Sequence, residues 1–135
     1  MTSKPEQNRR PVVLVVEDHD DTRFMLRTVL EHDGYVILEA TDGLQALEVA
    51  GREKPDLVLI DGNLPGLDGL SAIRRMRERE PLRDMPIVAL SGHASPEFQN
   101  AARLAGCDAY ITKPLDFVEL RITLRRLLPA YSHAA

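Results

Sequence analysis

Five short runs of consecutive apolar residues punctuate the chain, near 12–16, 36–40, 57–60, 87–90 and 109–112, and each leads into a longer stretch with apolar residues at helical spacing. The runs are apolar throughout rather than alternating with polar residues. Such strands suit a parallel sheet covered by helices on both faces. Right-handed crossovers then join five β-α units into a doubly wound α/β fold with five strands and five helices.

Helix signals support this division. Asp20 or Asp21 caps a first helix that is expected to bury Met25, Leu26, Val29 and Leu30 and to stop at Gly34. A second helix spans about 43–52. The third carries Leu70, Ile73 and Met76 on one face, and its charged run "RRMRERE" sets Arg74 four residues before Glu78, the pattern of a solvated, ion-paired surface. Ser95 and Pro96 occupy the N-cap and first position of a fourth helix that ends at Gly106. Asp116 with Glu119 forms a capping-box pattern for a fifth, stapled by Leu115 against Leu120. Residues 1–10 lack apolar periodicity and read as a flexible tail; one domain follows over 11–129, and 130–135 form a short C-terminal tail. No linker and no following DNA-binding or catalytic domain is expected.

At 135 residues and 44% hydrophobic content, a single domain can bury about two-thirds of its unfolded surface. A net charge of −4 and a pI near 5.5 argue against direct binding to nucleic acid, which needs a concentrated basic face. Cys107 is the only cysteine, so no intramolecular disulfide forms, and its simplest reading is a small core or surface residue. The polar start "MTSKPEQNRR" and the brevity of the first apolar run leave no signal-peptide core or membrane span. A soluble, cytoplasmic protein with no membrane partner is expected.

Chemistry in an open parallel sheet gathers at the carboxyl ends of its strands. The residues there are Glu17 and Asp18 after the first strand, Asp61 after the third, Ser91 after the fourth and Lys113 after the fifth. Three carboxylates sharing one crevice repel each other unless a hard cation lies between them, and magnesium, which favours oxygen ligands and works with phosphate, is the economical choice. A carboxylate that accepts a phosphoryl group becomes an aspartyl phosphate, which needs a metal, a cationic side chain and a hydroxyl donor around it. Lys113 and Ser91 are the cation and the hydroxyl.

In order and spacing, the segments "VVED", "LVLIDGNLPGLDG", "IVALSG" and "YITKP" resemble the receiver domain of the bacterial response-regulator family over residues 11–128. The resemblance implies a flavodoxin-like sheet in the order 2-1-3-4-5. It also implies that Asp61 is the phosphoacceptor. Glu17 and Asp18 then hold magnesium directly or through water, the backbone carbonyl of Asn63 is a third ligand, Ser91 bonds a phosphoryl oxygen, and Lys113 pairs with the acyl phosphate. Tyr110 matches the family's switch aromatic, turning inward when Ser91 moves and so coupling the site to the face of the fourth helix, fifth strand and fifth helix. The donor is a histidine kinase or histidine phosphotransfer protein, and the target is a protein reading that face. The protein is then a signalling switch rather than an enzyme, acting by binding a target, by shuttling phosphate, or as a piece of a larger regulator or hybrid kinase. Glu17 stands where Asp is more usual and Gly92 where Ala is frequent; Asn63 and His93 occupy positions that tune phosphoryl lifetime.

Taken singly these residues have plainer readings. An Asp after a strand is ordinarily a turn or cap, Lys113 a surface lysine, Ser91 a loop hydroxyl, and Tyr110 a packing residue. Their joint placement carries the argument. Pro65, Gly66 and Gly69 read as shaping the loop after Asp61, while His19, His32 and His133 read as solvated. The Lys113-Pro114 bond is a candidate for the cis form, although such bonds are usually trans. Three other functions compete. "DHDDT" matches the Asp-x-Asp-x-Thr signature of haloacid-dehalogenase-like phosphatases, making Asp18 the nucleophile and Asp20 the acid, but Asp61 precedes the serine and lysine, the reverse of their order. A flavodoxin-like cofactor protein would need a phosphate loop where "EDHDD" repels phosphate. A phosphorylation-independent interaction module is argued against by the intact set of site residues.

Overall fold

The apolar runs form strands β1 (Val12–Val16), β2 (Val36–Ala40), β3 (Leu57–Asp61), β4 (Ile87–Ser91) and β5 (Ala109–Thr112) in a computed structural model that describes residues 9–92 and 95–128. All four neighbouring pairs are parallel, in the order β2-β1-β3-β4-β5. Helices α1 (Asp20–His32), α2 (Gly43–Glu53), α3 (Gly69–Arg77), α4 (Pro96–Ala105) and α5 (Phe117–Leu127) make the crossovers, and a 3-10 turn covers Glu80–Leu82. The doubly wound α/β fold is therefore present. Strands β3 and β4 each run one residue past the apolar run, so Asp61 and Ser91 are themselves the last strand residues.

Side chains alternate along a strand, and this sorts the sheet into two cores. Leu14, Val16, Val58, Ile60, Ile87 and Ala89 pack with Ala46 and Leu47 of α2, Ile73 and Met76 of α3, and Ala102 of α4. On the other face, Val13, Val15, Leu57, Leu59, Val88 and Leu90 pack with Leu26 and Leu30 of α1 and with Leu120 and Leu124 of α5. Full burial of each large side chain contributes roughly 1.5–3 kcal/mol.

Four helices begin on side-chain caps: Asp42, Asp68, Ser95 and Asp116 each accept a backbone N–H from the first turn. Helix α1 differs from expectation. Its N-cap is His19, with no side-chain cap bond, because the Asp20 carboxylate accepts from Arg23 instead. Asp20 and Asp21 sit in its first turn, where they favour the positive end of the helix dipole. Its buried stripe is also narrower: Leu26 and Leu30 are fully enclosed, Val29 is half-buried, and Met25 is exposed. The helix stops at His32, and Gly34 takes the left-handed φ of 101° that redirects the chain.

Arg9, read as part of a flexible tail, makes two hydrogen bonds to Asp56, whose Oδ2 also accepts the Val12 N–H at 2.7 Å. Residues 1–8 and 129–135, which hold the rest of both tails, and His93 lie outside the described residues.

The charged run in α3 is only partly a solvated surface. Among the described residues no ion pair joins Arg74 to Glu78. Arg77 turns back onto the fold instead: its guanidinium donates to the carbonyls of Gly106 at 2.7 and 2.9 Å, Arg83 at 2.8 Å and Met85 at 2.6 Å, and to Asp108 at 2.9 Å. One side chain thus ties the end of α3 to the entries of β4 and β5. Arg77→Ala leaves those acceptors unmatched and is expected to lower unfolding free energy by about 2–4 kcal/mol in urea titrations, whereas Arg74→Ala changes it by less than about 0.5 kcal/mol. Equal effects would remove Arg77 from this role.

Candidate functional site

Parallel register brings the strand ends together. Val16 pairs with Ile60 and Asp61 with Leu90, so Glu17, Asp61 and Ser91 fall side by side at one edge of the sheet. Lys113 follows β5, and its N–H donates to the Ser91 carbonyl at 2.7 Å. The Lys113-Pro114 bond is cis. Glu17 and Ser91 are wholly buried and Asp61 is 3% exposed, whereas Asp18 is half-buried.

Lys113 Nζ donates to Glu17 Oε1 and to Asp61 Oδ2, both at 3.1 Å. Asp61 Oδ1 accepts the Asn63 N–H at 2.9 Å, which fixes the loop that follows. Gly69 closes that loop against the site, because a Cβ there would run into the Asp61 carbonyl oxygen. Gly66 holds a left-handed φ of 69°. Asn63 and Gly92 are exposed at the crevice mouth.

Two opposed effects set the charges. Burial pushes the Glu17 carboxyl up, but hydrogen bonds from the His19 N–H, the His19 ring and Lys113 outweigh it and hold its pKa below the ordinary value. For Asp61 burial wins: despite the bonds from Asn63 and Lys113, its pKa is raised, with the Glu17 charge adding to the push. Burial lowers the Lys113 pKa less than its two carboxylate partners raise it, so the ammonium is retained.

The site also includes residues that periodicity did not single out. His19, read as solvated, is 72% exposed along its side chain, yet its Nδ1 lies 3.0 Å from Glu17 Oε2 and 3.4 Å from Asp18 Oδ1. Arg23 donates from Nη1 to the Glu17 carbonyl at 2.9 Å while pairing with Asp20 and Glu39, and so braces the turn that carries both acids. The Asp20–Arg23 spacing of three residues was the available signal. Tyr110 is half-buried and meets Phe98 of α4 edge to face at 6.1 Å, and the Phe98 ring packs close over Gly62, next to Asp61, where a Cβ would stand 3.3 Å from it.

The donor set fits a divalent cation. One ligand atom from each of Glu17, Asp18, His19 and Asp61 lies within 4.8 Å of the others. Asp18 Oδ1 is buried and accepts no hydrogen bond, the His19 ring nitrogen lying 3.4 Å away without making one. A buried, unmatched carboxylate oxygen facing two further carboxylates is explained by a cation.

Comparison with known proteins agrees with this geometry. The family model for the response regulator receiver domain matches residues 13–125, and the chain belongs to that family. It is 38% identical to the transcriptional regulatory protein CseB of Streptomyces coelicolor over 90% of this chain but only 51% of CseB. The chain thus spans about half the length of that curated relative. It is 32% identical to the polar-differentiation response regulator DivK of Brucella anthropi, over 86% of this chain and 94% of DivK. Among solved structures, the receiver domain of a sensor histidine kinase from Pseudomonas aeruginosa, with a magnesium ion coordinated in its active site cleft, matches at TM-score 0.82 and 34% identity over 88% of this chain and 98% of its own. Chemotaxis protein CheY4 of Vibrio cholerae matches at TM-score 0.85 and 29% identity over 89% and 100%. Receiver domains are signalling switches rather than enzymes in the ordinary sense, and they interact with histidine kinases or phosphotransfer proteins and with downstream targets. No helix among the described residues is long and apolar enough to cross a membrane.

Magnesium at ten times its Kd is expected to stabilise the wild type by about 1.4 kcal/mol, read as a higher Tm, and to leave Asp18→Asn nearly unmoved. An equal shift in both proteins would place the cation elsewhere.

Proposed function

We propose that Asp61 accepts a phosphoryl group from the phosphohistidine of a histidine kinase or histidine phosphotransfer protein, making this chain a phosphorylatable switch of a two-component system or phosphorelay. The observation that carries this reading is the buried Asp61 carboxylate, held at 3.1 Å by Lys113 beside Glu17 and Asp18. An Asp61 oxygen attacks phosphorus, the phosphorus–nitrogen bond breaks, and the donor imidazole keeps the electron pair. Water later attacks the mixed anhydride, returning the carboxylate and inorganic phosphate.

Glu17, Asp18, Asp61 and the Asn63 carbonyl would hold magnesium, which would supply positive charge to the phosphoryl oxygens. Lys113 pairs with the acyl phosphate, and the Ser91 hydroxyl donates to a phosphoryl oxygen. By their match to family positions, Asn63, Gly92 and His93 tune how long the phosphoryl group lasts. Signal leaves through Tyr110 and the α4-β5-α5 face, where Leu104, Val118 and Ile122 are exposed for a protein target. The output is a population shift, limited by how differently the phosphoryl group contacts the two conformations. The phosphatase alternative is disfavoured because Asp20, its required acid, is 88% exposed and paired with Arg23 at 2.7 Å.

Intact mass after incubation with magnesium and a small acyl-phosphate donor tests this, run on wild type, Asp61→Asn and Asp18→Asn with peptide mapping. The expected result is one hydroxylamine-labile phosphoryl group on Asp61, absent from Asp61→Asn. An adduct on Asp18, or donor turnover that survives Asp61→Asn but not Asp18→Asn, would overturn the assignment.

A further inference from the structure

The acidic crevice holds one donor that a hard cation does not need. His19 presents a ring nitrogen 3.0 Å from Glu17 and 3.4 Å from Asp18, inside the same cluster as Asp61. Around an octahedral ion with bonds of about 2.1 Å, neighbouring ligands stand roughly 3 Å apart and opposite ones about 4.2 Å. Around a tetrahedral ion all stand about 3.4 Å apart, so the 4.8 Å spread needs a contraction of roughly 0.6–1.4 Å. The exposed His19 ring has room to make it. The unmatched Asp18 Oδ1 supplies an independent sign that a cation belongs here.

Oxygen donors serve magnesium, whereas an imidazole nitrogen adds affinity for borderline first-row ions, zinc among them. We propose that His19 makes this crevice a site for zinc as well as magnesium, with His19, Asp18 and Asp61 as ligands. Zinc and magnesium then compete for one position. His19 is thereby a residue that determines which cation the site takes. The inference rests on the magnesium-dependent reading above.

Zinc and magnesium affinities of the metal-stripped chain, measured by competition with a chelating dye, test it on wild type, His19→Gln and Asp61→Asn. His19→Gln is expected to weaken zinc at least about tenfold and magnesium less than about threefold, and magnesium should displace zinc from the wild type. In the cobalt-loaded wild type, a hyperfine-shifted imidazole N–H proton should appear in NMR spectra and vanish in His19→Gln. Equal zinc affinity in wild type and His19→Gln, without that resonance, would overturn the role of His19 while leaving the magnesium site standing. Zinc affinity unchanged in Asp61→Asn would place zinc elsewhere and overturn the inference too. Failure of magnesium to bind the wild type at all would overturn the reading on which it rests.

Discussion

A single ammonium, Lys113 Nζ, stands 3.1 Å from both Glu17 and Asp61 where neither carboxylate has appreciable access to water. Its removal would leave two buried like charges facing each other, a loss of about 3–5 kcal/mol for a broken buried pair. With Asp18 added and His19 counted as neutral, three carboxylates against one ammonium leave two formal negative charges. That residue of charge sets the chemistry. It matches one divalent cation and, through the Glu17 charge, adds to the rise that burial already gives the Asp61 pKa.

The fold supplies this arrangement by topology. Order β2-β1-β3-β4-β5 sets β1 against β3 and β4 against β5, so residues far apart in sequence meet at one edge through register alone. Backbone contacts then sharpen it. The Glu17 N–H reaches the Ala40 carbonyl at 3.0 Å and the Gly62 N–H reaches the Leu90 carbonyl at 2.8 Å, anchoring the turns after β1 and β3 to their neighbours. Gly69 allows α3 to start in contact with the Asp61 backbone, and Arg23 holds the Glu17 carbonyl from α1. From the site outward, Gly62, Phe98 and Tyr110 form a packed series toward β5 and α4. A change at Asp61 therefore has a physical route to the exposed face.

Much of this was legible from local pattern. Apolar runs define strands, capping residues such as Ser95 and Asp116 define helix starts, and the strand ends point to Glu17, Asp18, Asp61, Ser91 and Lys113 because a parallel sheet gathers its carboxyl ends. What escaped depends on where long side chains go. Arg77 lies in a charged run whose spacing suggests a solvated surface, yet its guanidinium reaches the Gly106 carbonyl, 29 residues away. His19 and Arg23 belong to a helix start whose two aspartates offer a plainer cap, and nothing in their spacing says that one leans on Glu17 and the other on its carbonyl. Met25 shares the helical period of Leu26 but falls just outside the narrow stripe that α1 buries.

The central claim is that a phosphoryl group on Asp61 is read by Lys113 and Ser91 and passed to Tyr110. Beryllofluoride, which adds to a carboxylate as a phosphoryl mimic, tests this through backbone amide NMR of the magnesium-loaded chain. The account predicts saturable shifts at Asp61, Ser91 and Lys113 that extend through Phe98 and Tyr110 into α4 and are absent in Asp61→Asn. Shifts that stop at the crevice, or that persist in Asp61→Asn, would contradict it.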